Sequence, residues 1–142
     1  MSLEIYKISV ETELELVYVD TGIKAGFPRI APDITSIIDL NKELVKHPAN
    51  TFCGRVSGDS MQDANLEDGD IIVIDRSLNP RNGDMAVCVI DKEFTAKFIK
   101  IEKDGIWLIP ANENYDAVKV TENDNIEVWG IITHCIKKIK RG

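Results

Sequence analysis

Long apolar runs are missing from this chain. Nothing in it approaches the roughly 18 consecutive apolar residues that a bilayer crossing needs. The apolar residues between Leu3 and Val19 are interrupted by Glu4, Lys7, Glu11, Glu13 and Glu15. No basic-then-apolar leader pattern opens the chain, so a cytoplasmic protein is expected. Cysteine is scarce: Cys53, Cys88 and Cys135 make an odd set without paired spacing, which argues against a disulfide framework or a metal site. Cys88, inside Met85-Ala86-Val87-Cys88-Val89-Ile90, reads as a small buried hydrophobe, and no cofactor is expected. Histidine is limited to His47, before Pro48, and His134, in the last apolar stretch. Neither sits in a signature string, which disfavours a histidine-based triad. Positive charge is also short, with a formal net charge of −7. Direct binding to nucleic acid is therefore disfavoured, because neutralising phosphates takes clustered Lys and Arg. The one basic cluster is the tail Lys137, Lys138, Lys140 and Arg141, which reads as a solvated end or a partner contact.

What is present suits one ordinary domain with a modest appendage. Its 142 residues are 44% hydrophobic and 29% charged, a globular composition. Residues 1–33 differ from the rest. Leu14, Leu16, Val17 and Val19 suggest a short strand, broken at Asp20-Thr21-Gly22. Gly22, Gly26, Pro28 and Pro32 then exclude a regular element. This region reads as an N-terminal arm and loop, with 1–25 detachable, ahead of a domain over 34–142. The apolar spacing from Ile34 to Val45 predicts a short amphipathic helix with Asp39 as cap, ended by Pro48. Thereafter the pattern is mainly β: Thr51 to Val56, Ile71 to Ile74, Met85 to Ile90, Glu93 to Glu102, Ile106 to Ile109, and Ile126 to Ile139 with a break near Gly130. Asp68-Gly69-Asp70, Asn82-Gly83-Asp84, Asp91-Lys92 and Lys103-Asp104-Gly105 supply the turns. The fold class is thus mainly β, of bulged antiparallel strands with little helix, and no internal repeat.

Two strings carry chemistry. Gly58-Asp59-Ser60-Met61 sets a serine on a glycine-opened turn, and Phe94-Thr95-Ala96-Lys97-Phe98-Ile99 sets a lysine in an apolar strand. Alone, each has a plain structural reading: a turn, and a lysine on a solvated sheet face beside Lys100 and Lys103. Together they offer a dyad. A lysine among apolar neighbours loses its proton more easily and can act as base toward a serine hydroxyl. A backbone amide of Asp59 or Ser60 is placed to donate to a developing oxyanion. In strand alternation Thr95, Lys97 and Ile99 share one face, and Phe94, Ala96 and Phe98 the other. Ala25-Gly26, in the loop ahead of the domain, offers a small-residue bond for such a pair to cut.

The order Ala25-Gly26, Gly58-Asp59-Ser60-Met61, Asp68-Gly69-Asp70, Gly83-Asp84, Glu93-Phe94-Thr95-Ala96-Lys97 resembles the self-cleaving serine peptidases of the LexA and UmuD group. Gly26-Phe27-Pro28, Ile38-Asp39-Leu40-Asn41, His47-Pro48 and Leu108-Ile109-Pro110-Ala111-Asn112 are similar too, so the likeness runs from about Gly26 to Ile139 and looks closest to the UmuD branch. The resemblance implies a LexA-like peptidase fold with one or two short helices. It implies Ser60 as nucleophile, Lys97 as base and the Ala25-Gly26 bond as substrate; family members carry Ala-Gly or Cys-Gly there. It implies stimulation by a RecA filament on single-stranded DNA in the SOS response. By the same resemblance, the trimmed homodimer serves as accessory subunit to an error-prone Y-family, UmuC-like translesion polymerase. The arm has five acidic residues (Glu4, Glu11, Glu13, Glu15, Asp20) against Lys7 and Lys24, and at 25 residues cannot hold a helix-turn-helix domain. The alternatives are a non-enzymatic polymerase-accessory or dimerisation module, and the C-terminal part of a LexA-type repressor.

Overall fold

The run Ile71-Ile72-Val73-Ile74 is β-branched throughout, which favours extended backbone. In the computed structural model it forms the strand Ile71–Asp75 within an eight-stranded sheet. The structure describes residues 2–9, 15–18, 36–58, 64–111, 116–121 and 125–141. The early strands are β1 (Ser2–Lys7), β2 (Glu15–Tyr18) and β3 (Ser36–Asp39), followed by helix α1 (Leu40–Leu44) and a 3-10 turn at Pro48–Asn50. After them come β4 (Thr51–Ser57), β5 (Ile71–Asp75), β6 (Met85–Ile90), β7 (Glu93–Glu102), β8 (Gly105–Ile109), β9 (Val118–Lys119) and β10 (Ile126–Ile136). The large sheet is ordered β1-β4-β5-β10-β6-β7-β8-β9, and β2 pairs with β3 separately. Every pairing is antiparallel. The mainly β fold class expected from the sequence is what the chain adopts. Among the described residues no helix is long and apolar enough to cross a membrane.

The sheet curls. Cα atoms of β1 and β7 approach within 8 Å although four strands lie between them in sheet order. Inside the curl, Val56, Ala64, Leu66, Ile72, Ile74, Val87 and Ala96 form one buried cluster, with Leu3, Ile5, Phe94, Phe98 and Trp129 packed against it. Ala86, Cys88, Ile99, Leu108 and Ile131 form a second cluster. Neighbours on β6 divide between the two, Val87 to the first and Ala86 and Cys88 to the second, so the sheet carries a core on each face.

Three local features differ from the sequence reading. Residues 36–39 are strand, not helix; only the five residues Leu40–Leu44 are helical. Pairing of Ile37 and Ile38 with Val17 and Leu16 of β2 overrides their helix-compatible spacing. Asp39 is the cap, its carboxylate accepting from the Asn41 amide at 2.9 Å. The break near Gly130 is a bulge within one eleven-residue strand, which ends at Ile136 rather than Ile139. At this bulge Trp129 packs on Phe52 and Phe94, with ring centroids 5.1 and 5.2 Å away. The Arg76 guanidinium lies 4.3 Å over the indole and donates from Nε to the Trp129 carbonyl at 2.9 Å. Gly130 is required there, since a Cβ would lie 2.6 Å from Ile74 Cγ2. Finally, part of the N-terminal region belongs to the large sheet, β1 lying along β4 from Ser2↔Ser57 to Lys7↔Phe52.

Candidate active site

Lys97 stands on β7 directly opposite Ala86 of β6, with Cys88 opposite Thr95 two residues along. Residues facing each other across an antiparallel pair project to the same side. Lys97 therefore shares its face with Ala86, Cys88 and Ile99, the heart of the second cluster, and the solvated-face alternative fails. The side chain is half-buried, and none of the described ion pairs engages it. Burial pushes the Cys88 thiol up to about 12 despite the pull of the Lys97 charge. Cys88 thus stays a neutral thiol near the amine, and together with Ala86 gives it an apolar flank.

The serine turn is fixed at both ends. β4 stops at Ser57, and Gly58 adopts a left-handed φ of 88°, which glycine alone takes without cost. Its amide donates to Asp68 Oδ1 at 2.9 Å. Val56 exchanges backbone bonds with the Asp68-Gly69-Asp70 turn: its amide donates to the Asp70 carbonyl at 2.9 Å, and its carbonyl accepts from Gly69 at 2.8 Å. On the far side Ala64 and Leu66 are buried in the first cluster. The turn that the sequence reading assigned to opening β5 therefore also ties down the end of β4.

Asp70 organises that tie. Its buried carboxylate accepts from the Glu67 amide at 2.8 Å, from Cys135 Sγ at 3.5 Å and from the Lys137 ammonium. Burial would raise its pKa, but the bonds from Lys137, Glu67 and Cys135 outweigh that and hold it below the usual carboxylate range. Lys137, read as part of a solvated tail, is instead a tie from the end of β10. The only sequence signal for this pair was the Asp-Gly-Asp string.

Asp59, Ser60, Ala25 and Gly26 lie outside the described residues. The flanks of Ala25-Gly26 are described: β2 ends at Tyr18 and β3 begins at Ser36, paired with each other, so the bond lies in the connection between two partnered strands. The histidines serve elsewhere. His47 Nδ1 meets Asp75 Oδ2 at 2.5 Å, and His134 Nδ1 meets Thr133 Oγ1 at 2.9 Å. The cysteines are free thiols, and among the described residues no group of His, Cys, Asp and Glu could hold a metal ion.

A Peptidase S24-like family model matches residues 17–133. The chain is 36% identical to protein MucA of Salmonella typhimurium over 116 residues, covering 80% of this chain and 79% of that protein. It is 37% identical to protein SamA of Salmonella typhimurium (strain LT2) over 117 residues, 82% of this chain and 81% of that one. A LexA repressor from Desulfatibacillum aliphaticivorans is 34% identical over 120 residues, 82% of this chain but 59% of the repressor. The matched region contains Lys97, the serine turn and the Ala25-Gly26 bond, and the chain belongs to the Peptidase S24-like family of serine peptidases, of the LexA and UmuD type.

Proposed function

We propose that this chain is a UmuD-like protein of the SOS response that cuts itself once, between Ala25 and Gly26. Ser60 attacks the Ala25 carbonyl carbon while Lys97 takes the hydroxyl proton, and a backbone amide of Asp59 or Ser60 donates to the oxyanion. The C–N bond breaks, Lys97 passes its proton to the departing Gly26 amine, and Ser60 carries Ala25 as an ester. Water, deprotonated by Lys97, hydrolyses the ester and restores the serine. Because substrate and nucleophile belong to one protein, proximity supplies much of the acceleration. By family resemblance, a RecA filament on single-stranded DNA stimulates the cut. The trimmed cytoplasmic homodimer then joins a UmuC-like, Y-family translesion polymerase as accessory subunit.

The observation that carries this reading is the setting of Lys97. It is half-buried on an interior strand of the sheet and flanked by Ala86 and a neutral Cys88, inside the family-matched region. A structural lysine gains nothing from that environment, whereas a base needs it. Intact mass over time, with and without RecA filament, tests the proposal. Under denaturing conditions wild type is expected to resolve into residues 1–25 and 26–142, and Ser60→Ala and Lys97→Ala to stay whole. A Ser60→Ala protein that is truncated at the wild-type rate overturns it.

A further inference from the structure

We infer that cutting at Ala25-Gly26 does not by itself release residues 1–25. The fragment is held as a non-covalent strand partner of the remaining chain, and its departure is a separate step. This rests on the proposed cut, but its basis is independent geometry. The fragment would contain β1 and β2, and each is paired with a strand on the other side of the cut. β1 matches β4 over six positions, Ser2↔Ser57 through Lys7↔Phe52. β2 matches β3 over four, Glu15↔Asp39 through Tyr18↔Ser36.

Side chains reinforce the first pairing. β1 alternates, with Leu3 and Ile5 half-buried and packed on the first cluster while Glu4, Tyr6 and Lys7 are exposed. Ile5 faces Gly54, where the missing side chain makes room: a Cβ there would lie 3.3 Å from Ile5 Cδ1 and 3.1 Å from Ile72 Cγ1. β1 thus fills a socket on the β4 edge and also reaches β7, the strand bearing Lys97.

Undocking β1 is not needed for the cut. The strand antiparallel to β4 leaves Lys7 opposite Phe52, about 17 Å from Ser57 at strand rise. The 18 steps from Lys7 to Ala25 can span up to about 60 Å. The tether therefore has ample slack to bring Ala25 to Ser60 while β1 stays seated. Hydrolysis opens the connection between β2 and β3 but removes none of the ten paired positions that flank it.

The test uses the full chain carrying Ser60→Ala, with a recognition site for a sequence-specific protease placed between Tyr18 and Ser36. After cutting by added protease, gel filtration and native mass spectrometry at low micromolar concentration report whether the pieces stay together. They are expected to co-elute as one complex, with the 52–57 amides as protected from hydrogen exchange as before the cut. Ile5→Asp, checked for folding before cutting, is expected to shed the fragment. Immediate separation of the unsubstituted pieces, or β4 exchange that rises as soon as the chain is cut, overturns the inference. Equal retention by Ile5→Asp also overturns β1 as the anchor. Since the added protease makes the cut, failure of retention and failure of the Ser60–Lys97 chemistry are read separately.

Discussion

Lys97 and the serine turn are held by opposite kinds of force. Around Lys97 the ties are apolar: Ala86, Cys88, Ile99, Leu108 and Ile131, joined by regular pairing of β6, β7 and β8. At the β4 side of the serine turn they are polar and acidic, with Asp68 on the Gly58 amide and Asp70 on Glu67, Cys135 and Lys137. Only its far side, at Ala64 and Leu66, is packed into the first cluster. Packing places the amine beside an apolar flank and is indifferent to salt. The hydrogen bonds that tie Gly58 and the Asp68-Gly69-Asp70 turn respond to pH.

The contrast can be broken from either side. Leu108→Ala, at a site 1% exposed, is expected to cost about 2–5 kcal/mol in urea unfolding, the range for deleting a buried leucine. Its effect should be the same at low and high salt. Asp70→Ala removes the tie on the turn side and strands the Glu67 amide, for a loss of about 1–3 kcal/mol. It should also speed hydrogen exchange at Gly58 and Gly69, while Ala86 and Cys88 amides stay protected.

Acid should act on the polar side alone. Asp70 is held below the ordinary carboxylate range, and so is Asp75. At Asp75 burial pushes upward, but the Ser77 and His47 bonds push down harder. An unfolded chain then takes up protons before the folded one, so their contribution is complete above the ordinary value of about 3.9. It is lost as pH falls through the lower folded values. Stability measured from pH 5 downward should decline, and Asp70→Asn should flatten that slope. The smallest effect is expected at the β6–β7 turn, where Asp91 and Lys92 have φ of 50° and 68°. Lys92→Gly should stabilise by about 0.5–1 kcal/mol, seen as a higher urea midpoint.

The sequence made much of the sheet legible because turn strings punctuate it: Asp-Gly-Asp before β5, Asn-Gly-Asp before β6, Asp-Lys between β6 and β7. β3 was not legible, since a short apolar run such as Ile37-Ile38 suits helix or strand equally and its partner decides. β1 was missed for a related reason. Its alternation is brief, and its socket at Gly54 lies far along the chain. At the site, the alternation that puts Lys97 with Thr95 and Ile99 was readable from β7 itself. That this face belongs to a core cluster was not, because Leu108 and Ile131 come to it from neighbouring strands β8 and β10. The Asp70–Lys137 tie joins residues 67 apart, and beyond the Asp-Gly-Asp string nothing local pointed to it.

The most direct test of Lys97 as base to Ser60 is the rate of truncation at Ala25-Gly26 between pH 7 and 10, in protein shown to be folded throughout. The rate is expected to climb with pH, as general-base catalysis by an amine requires, with Lys97→Arg uncut across the range. A wild-type rate that stays flat from neutral to alkaline pH would contradict a lysine base.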